Sequence, residues 1–334
     1  MPNAVPIVST EYGDIEGFYY ETSKDFKSDV FLGIPYAQPP INELRYEKPL
    51  PPLPWTSTLK AKEYGHQSAT FKNMPVPDAS EDSLTLNIMK PHQPPPPSSD
   101  PNGYPVMAFI HGGAFIAGSA ANQNYADIVD RLVCHGIIVV TINYRLGPFG
   151  FFSTGDSDAP GNYGLWDQIE ALKFIQKVIP AFNGNSKNVT IFGASAGAAS
   201  VSWLTLAPAA KDFFSRAITM GGSAFASWAH SEEVVQHSMA LANAAGCLSN
   251  AKKDSIKKCL KQKTTKEIIE AASSFIKAEC RGDNINFGYF NPRFDNEIIA
   301  GTTMAEAVKN APKKANFLGI CSQEYISFVP QTFV

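Results

Sequence analysis

The chain opens with short strand-like stretches: GDIEGFYY at 13–20, VFLGIPY at 30–36 and LTLNIMK at 84–90. Loops rich in proline, glycine and serine divide them, and this pattern predicts strands that open a sheet in antiparallel fashion. From residue 106 the pattern changes. Continuous apolar runs, VMAFIH (106–111), GIIVVTINY (136–144) and VTIFGAS (189–195), alternate with helical stretches near 123–134 and 163–179. Strands that are apolar throughout are buried on both faces, so these runs predict a parallel sheet covered by helices. In the helix after Gly161, Leu165, Ile169, Leu172, Ile175 and Val178 recur at three- and four-residue steps, which turns one stripe toward that sheet. ITMGG (218–222), helical signals across 231–273 and NFLGICS (316–322) extend the alternation. The reading is one α/β domain over 1–334, without internal repeat or linker. The tract PHQPPPPSSDPNGYP (91–105) lies between two strand signals and is read as a surface loop, not a polyproline ligand.

Composition narrows the function classes. The chain is 44% hydrophobic and 18% charged, which suits a soluble globular protein with a sizeable core. Its 28 basic and 31 acidic residues are mixed along the chain, so no electrostatic footprint for nucleic acid or an anionic membrane appears. The expected ligand is uncharged or mildly polar. No apolar run is long enough to span a bilayer and the N-terminus has no basic start followed by an apolar stretch, from which a cytoplasmic location is expected. The five cysteines, Cys134, Cys247, Cys259, Cys280 and Cys321, form no C-x-x-C pair and no zinc-like spacing with the histidines. Metal and redox chemistry are not expected. Asn188-Val189-Thr190 matches a glycosylation acceptor but falls in an expected strand.

Two segments carry chemistry. Gly193-Ala194-Ser195-Ala196-Gly197 follows the apolar strand VTIF and precedes the helix-compatible AASVSWLTLA. A serine on a tight strand-to-helix turn is pushed out of the sheet, and glycines beside it let neighbouring backbone approach. The helix N-terminus behind it favours developing negative charge. Ser195 is therefore the candidate nucleophile. His111-Gly112-Gly113-Ala114-Phe115 ends the strand VMAFIH in a loop of small residues able to expose amides. Gly113 and Ala114 N–H, with Ala196 N–H, are the candidate oxyanion hole, each donor worth on the order of 3 kcal/mol to an acyl-transfer transition state.

With these motifs stand FLGIPYAQPP (31–40), SEDSLTLNI (80–88), NYRLGPFGF (143–151), GNYGLWDQIEALKFIQ (161–176) and NVTIFGASAG (188–197). Together they make the chain resemble the type B carboxylesterase and cholinesterase family from about residue 6 to 328. The resemblance implies an α/β-hydrolase fold, a mostly parallel doubly wound sheet with an antiparallel N-terminal part that is incomplete at its C-terminal side. It implies hydrolysis of small-molecule carboxylic esters through an acyl-serine intermediate, without a cofactor. It further suggests structural ion pairs Arg45–Glu81 and Arg145–Asp167 as supports of the site. The family's triad runs serine, acid, histidine, with a glutamate after a late strand as the acid, and Glu324 matches that position.

Departures qualify this reading. No histidine follows Glu324, and His66, His92, His135, His230 and His237 precede it as surface or loop histidines, so the triad does not close within the chain. The expectation is a shortened esterase of low or no activity, because a serine without a base is a weak nucleophile. The alternative is a non-catalytic, esterase-like binding or adhesion module. The family's glutamate before the nucleophile is Ala194 here, and KNMPVPDAS (72–80) lacks the aromatic ring of a choline site. Ser68 and Ser83 stand where the family's first disulfide falls, and Cys247 and Cys259 where its second does. Met220-Gly221-Gly222-Ser223 replaces a family segment with one more hydroxyl. The ester is expected near Phe115 and FGYF (287–290), and the last strand is expected to be an exposed edge that lowers solubility.

Overall fold

A computed structural model describes residues 5–71, 79–97, 100–248, 254–276 and 288–322. The first half runs β1 (Ile7–Thr10), β2 (Gly13–Glu16), β3 (Phe18–Glu21), β4 (Lys27–Pro35), β5 (Leu59–Lys60), β6 (Thr85–Pro91), β7 (Tyr104–Ile110), α1 (Tyr125–Arg131) and β8 (Ile138–Ile142). There follow α2 (Gly147–Phe151), α3 (Tyr163–Val178), β9 (Gly184–Ala194), α4 (Ala196–Leu206), β10 (Arg216–Met220), α5 (Val234–Ala244), α6 (Asp254–Lys261), α7 (Thr265–Phe275), α8 (Met304–Lys309) and β11 (Ala315–Gly319).

Eight strands form one sheet in the order β11-β10-β9-β7-β8-β6-β4-β3. Neighbours from β8 to β11 are parallel, whereas β6, β4 and β3 join as antiparallel strands. The runs at 106–111, 136–144 and 189–195 thus became neighbouring parallel strands, whereas β4 and β6, also buried along most of their length, pair antiparallel. The segment GDIEGFYY divides between two sheets, since β2 pairs with β1 and β5 in a separate three-stranded sheet while β3 joins the large one. The break is at Gly17, where a Cβ would overlap Val30 O and Phe31.

The expected stripe of α3 is buried whole, with Leu165, Ile169, Leu172, Ile175 and Val178 each at most 1% exposed. It packs with Trp203 of α4 in the main core, and a smaller core under α1 gathers Val30, Met89, Val129, Val133 and Val139 on the other face. Both expected ion pairs are present. Arg145 holds Asp167 with three hydrogen bonds, Nε to Oδ2 at 2.8 Å, Nη2 to Oδ1 at 2.7 Å and its backbone N–H to Oδ2 at 3.0 Å. Arg45 grips Glu81 in the same bidentate way at 2.7 and 2.6 Å and also donates to Leu260 O at 2.9 Å, tying the N-terminal region to the end of α6. Cys247 and Cys259 form a disulfide between the end of α5 and α6. Ser68 and Ser83 are buried with their hydroxyl oxygens 2.8 Å apart, so a hydrogen bond joins the two positions.

Candidate active site

The site is built where β7 and β9 end side by side. Ile110 stands opposite Gly193 in the parallel register, so the chain leaving β7 as His111-Gly112-Gly113 runs beside the turn that carries Ser195. A Cβ on Gly112 would lie 2.5 Å from Ala194 O and 3.2 Å from Ser195 Cβ. The sequence candidates Ser195 and the glycine loop are therefore brought together.

Ser195 has φ +55° and ψ −124°, a backbone region that costs a non-glycine residue on the order of 1–3 kcal/mol. It persists because its neighbours fix it. Ser195 N–H donates to Met220 O at 3.0 Å, and Ser195 O accepts the Ala199 N–H at 2.9 Å, starting α4. Three glycines make the turn possible. A Cβ on Gly193 would stand 2.5 Å from Gly197 O, one on Gly197 would overlap Ile110 O, and one on Gly222 would overlap Ser195 O. The result is a serine that stays exposed while Ala196 and Gly197 behind it are buried. Among the described residues, no side chain makes a hydrogen bond with Ser195 Oγ.

The facing loop is wound just as tightly. Gly113, Ala114 and Phe115 all have positive φ, at 118°, 53° and 62°. Gly113 O accepts two amides, Ile116 N–H and Ala117 N–H, both at 2.9 Å, and Phe115 O accepts Gly147 N–H at 2.8 Å. The N–H groups of Gly113 and Ala114 donate to no acceptor among the described residues. Donors of this kind, held by a rigid turn beside a serine at a helix N-terminus, are chemically suited to an oxyanion.

Phe115 is a correction. Its ring is fully buried and meets Phe151 edge to face at 5.3 Å, so it anchors the loop into the core instead of lining a substrate crevice. Phe290 of the expected aromatic wall is buried as well, while Phe287 lies outside the described residues. Glu324 and most of KNMPVPDAS also lie outside them. Of the histidines expected on the surface, His66 and His135 are exposed, whereas His92, His230 and His237 are less so. His92 Nδ1 pairs with Asp29 at 2.8 Å, His237 Nδ1 donates to Tyr289 O at 2.9 Å, and His230 packs between Trp203 and Phe294. No group of three or more potential metal ligands occurs among the described residues. No described helix is long and apolar enough to cross a membrane.

The first residue of this loop motif has surroundings that the sequence did not show. His111 is 3% exposed, its ring stacks on Tyr144 with centroids 4.4 Å apart, and its Nδ1 lies 2.9 Å from Gly112 O. Burial without charge compensation pulls its pKa down to about 4, against a smaller upward pull from the Gly112 carbonyl.

The Carboxylesterase family's sequence profile matches residues 4–333. The chain belongs to the carboxylesterase family. It is 38% identical over 324 residues to gut esterase 1 of Caenorhabditis elegans, 96% of this chain and 54% of that protein. It is 38% identical over 279 residues to juvenile hormone esterase of Tribolium castaneum, covering 81% of this chain and 46% of that protein. Mouse cholinesterase is 36% identical over 341 residues, covering 97% and 54%. The chain thus spans about half the length of the curated relatives it matches. Among solved structures, a PNB esterase superposes with a TM-score of 0.83 at 32% identity, covering 98% of this chain and 66% of that one. The fold is therefore the α/β-hydrolase fold.

Proposed function

We propose that this carboxylesterase-family chain takes part in hydrolysis of small-molecule carboxylic esters through an acyl-serine intermediate. The observation that carries the reading is the exposed Ser195 at the N-terminus of α4, beside a loop whose Gly113 and Ala114 amides have no acceptor among the described residues. In this mechanism Ser195 Oγ attacks the ester carbonyl carbon. The carbonyl oxygen gains negative charge, and Gly113, Ala114 and Ala196 N–H donate to it. The C–O bond to the alcohol breaks as the Ser195 hydroxyl proton passes to the departing oxygen, and water then attacks the acyl-serine, returning a proton to Ser195 Oγ and releasing the acid. Glu324 is the proposed acid that would orient a histidine base. Because no described side chain makes a hydrogen bond with Ser195 Oγ, the polypeptide alone is expected to react slowly.

The segment KNMPVPDAS (72–80), which has no aromatic ring to hold a quaternary ammonium, supports an uncharged ester rather than a choline ester. The absence of carboxylate at Ala194 agrees with this. The Cys247–Cys259 bridge supports an oxidising compartment over the cytoplasm expected from the N-terminus. The non-catalytic reading is less well supported, since strain at an exposed serine serves no binding role evident in its contacts.

The test is the purified 334-residue protein incubated with a fluorophosphonate and with 4-nitrophenyl acetate, with and without added imidazole as a base. The expected outcome is slow modification of Ser195 that imidazole accelerates and Ser195→Ala abolishes. Modification that maps to another residue, or ester turnover undiminished in Ser195→Ala, would contradict it.

A further inference from the structure

We propose that His111, seated on Tyr144, is a positioning residue that aims the Gly113 amide at the acyl oxygen; the inference rests on the esterase reading of the site. A trans peptide unit carries its C=O and the following N–H on opposite sides of one plane. The plane joining Gly112 to Gly113 therefore has one orientation to set, and fixing the carbonyl fixes the amide. His111 Nδ1 lies 2.9 Å from Gly112 O. That carbonyl can only accept, so Nδ1 carries the proton and donates. The Gly113 N–H is then turned away from the buried ring.

The ring itself is held. Tyr144 stacks on it at 4.4 Å with planes 19° apart, and the Tyr144 hydroxyl donates to His111 O at 2.8 Å. Ser200 is a further partner of that hydroxyl and takes a hydrogen bond from Gln168 Nε2 at 3.0 Å, so the chain of contacts reaches α3 and α4. Gly118 closes over the arrangement, because a Cβ there would overlap Gly112 O and stand 2.5 Å from His111 Nδ1. The other ring nitrogen, Nε2, is buried and has no hydrogen-bond partner among the described residues. A histidine that merely filled space would not need its Nδ1 committed to the one carbonyl whose peptide carries the Gly113 amide. Nor would it need to leave Nε2 without a donor. The motif His-Gly-Gly is thus read as a self-contained device: the histidine orients the peptide that follows it, and the glycines let that peptide approach Ser195.

The experiment compares wild-type, His111→Asn, His111→Leu and Tyr144→Phe proteins of full length, after circular dichroism melts. Asparagine can place an N–H near the Nδ1 position, whereas leucine cannot. Fluorophosphonate modification of Ser195 is followed by mass spectrometry. In His111→Leu the limiting rate is expected to fall about 100-fold, as for loss of one oxyanion donor, with the reagent's half-saturating concentration unchanged. His111→Asn is expected to recover at least about ten-fold of that loss, with Tyr144→Phe between the two. A His111→Leu protein as fast as wild type, or a His111→Asn protein as slow as His111→Leu, would overturn the inference. The ¹⁵N spectrum of the ring in wild-type protein is an independent readout: the Nδ1–H tautomer at neutral pH supports it and the Nε2–H tautomer overturns it. A wild-type Ser195 that no fluorophosphonate modifies would sink the esterase reading instead, and the ring spectrum would still decide how Gly112 O is held.

Discussion

At the scale of single residues, the account depends on positions where local preference was overruled. Ser195, Ala114 and Phe115 all sit at positive φ, which non-glycine residues adopt only when their surroundings impose it. The sequence announced the glycines that allow this, and so Ser195 was legible. The role of Phe115 was not, because an aromatic after a glycine loop reads equally as a pocket wall or a core anchor until its neighbour Phe151 is known. The role of His111 was not legible for a similar reason, since the stack on Tyr144 that fixes its ring depends on a contact between distant segments. Its titration gives a prediction. The folded pKa of about 4 lies below the usual 6.5, so between these values the unfolded chain binds more protons. The contribution is complete above about pH 6.5 and is lost as pH falls toward 4, amounting to on the order of 3 kcal/mol. His230 and His237 are lowered too, also by burial, and add in the same direction. Urea titrations at pH 7 and pH 4.5 should therefore show a smaller acid loss in His111→Asn than in wild type; equal losses would refute the assignment.

At the scale of elements, the strands were readable because burial on one or two faces writes itself directly into periodicity. The runs at 106–111, 136–144 and 189–195 became β7, β8 and β9 within a few residues. What escaped were elements made by their context: α2, a five-residue helix buried entirely within NYRLGPFGF, and the small β1-β2-β5 sheet. α2 lies between Arg145, at the end of the β8 loop, and the α3 residue Asp167 to which that arginine is bound. Both partners are at most 2% exposed, so removing one leaves a buried charge. Asp167→Ala is expected to cost about 3–5 kcal/mol in chemical denaturation, and the Arg145→Met/Asp167→Leu double variant less than the single one. A double variant as costly as the sum of two single variants would show that the pair is not coupled.

At the scale of the whole molecule, the family and fold followed from several motifs read together, whereas partners and completeness of the catalytic group did not, because they depend on contacts beyond the described residues. The sheet ends, among the described residues, in β11, where Phe317 and Leu318 are 68% and 73% exposed and Ile320 just after it 86%. A parallel strand with apolar side chains in water is an edge prone to association. Leu318→Lys is expected to lower light scattering on concentration with little change in the melting temperature; unchanged scattering would remove the edge as its cause. The central claim, that Ser195 and the Gly113 loop form one acyl-transfer site, is tested most directly by the crystal structure of the protein carrying a phosphonate on Ser195. The account places the phosphoryl oxygen about 2.7–3.1 Å from the Gly113, Ala114 and Ala196 nitrogens. A phosphoryl oxygen turned to solvent, with those amides bonded elsewhere, would contradict it.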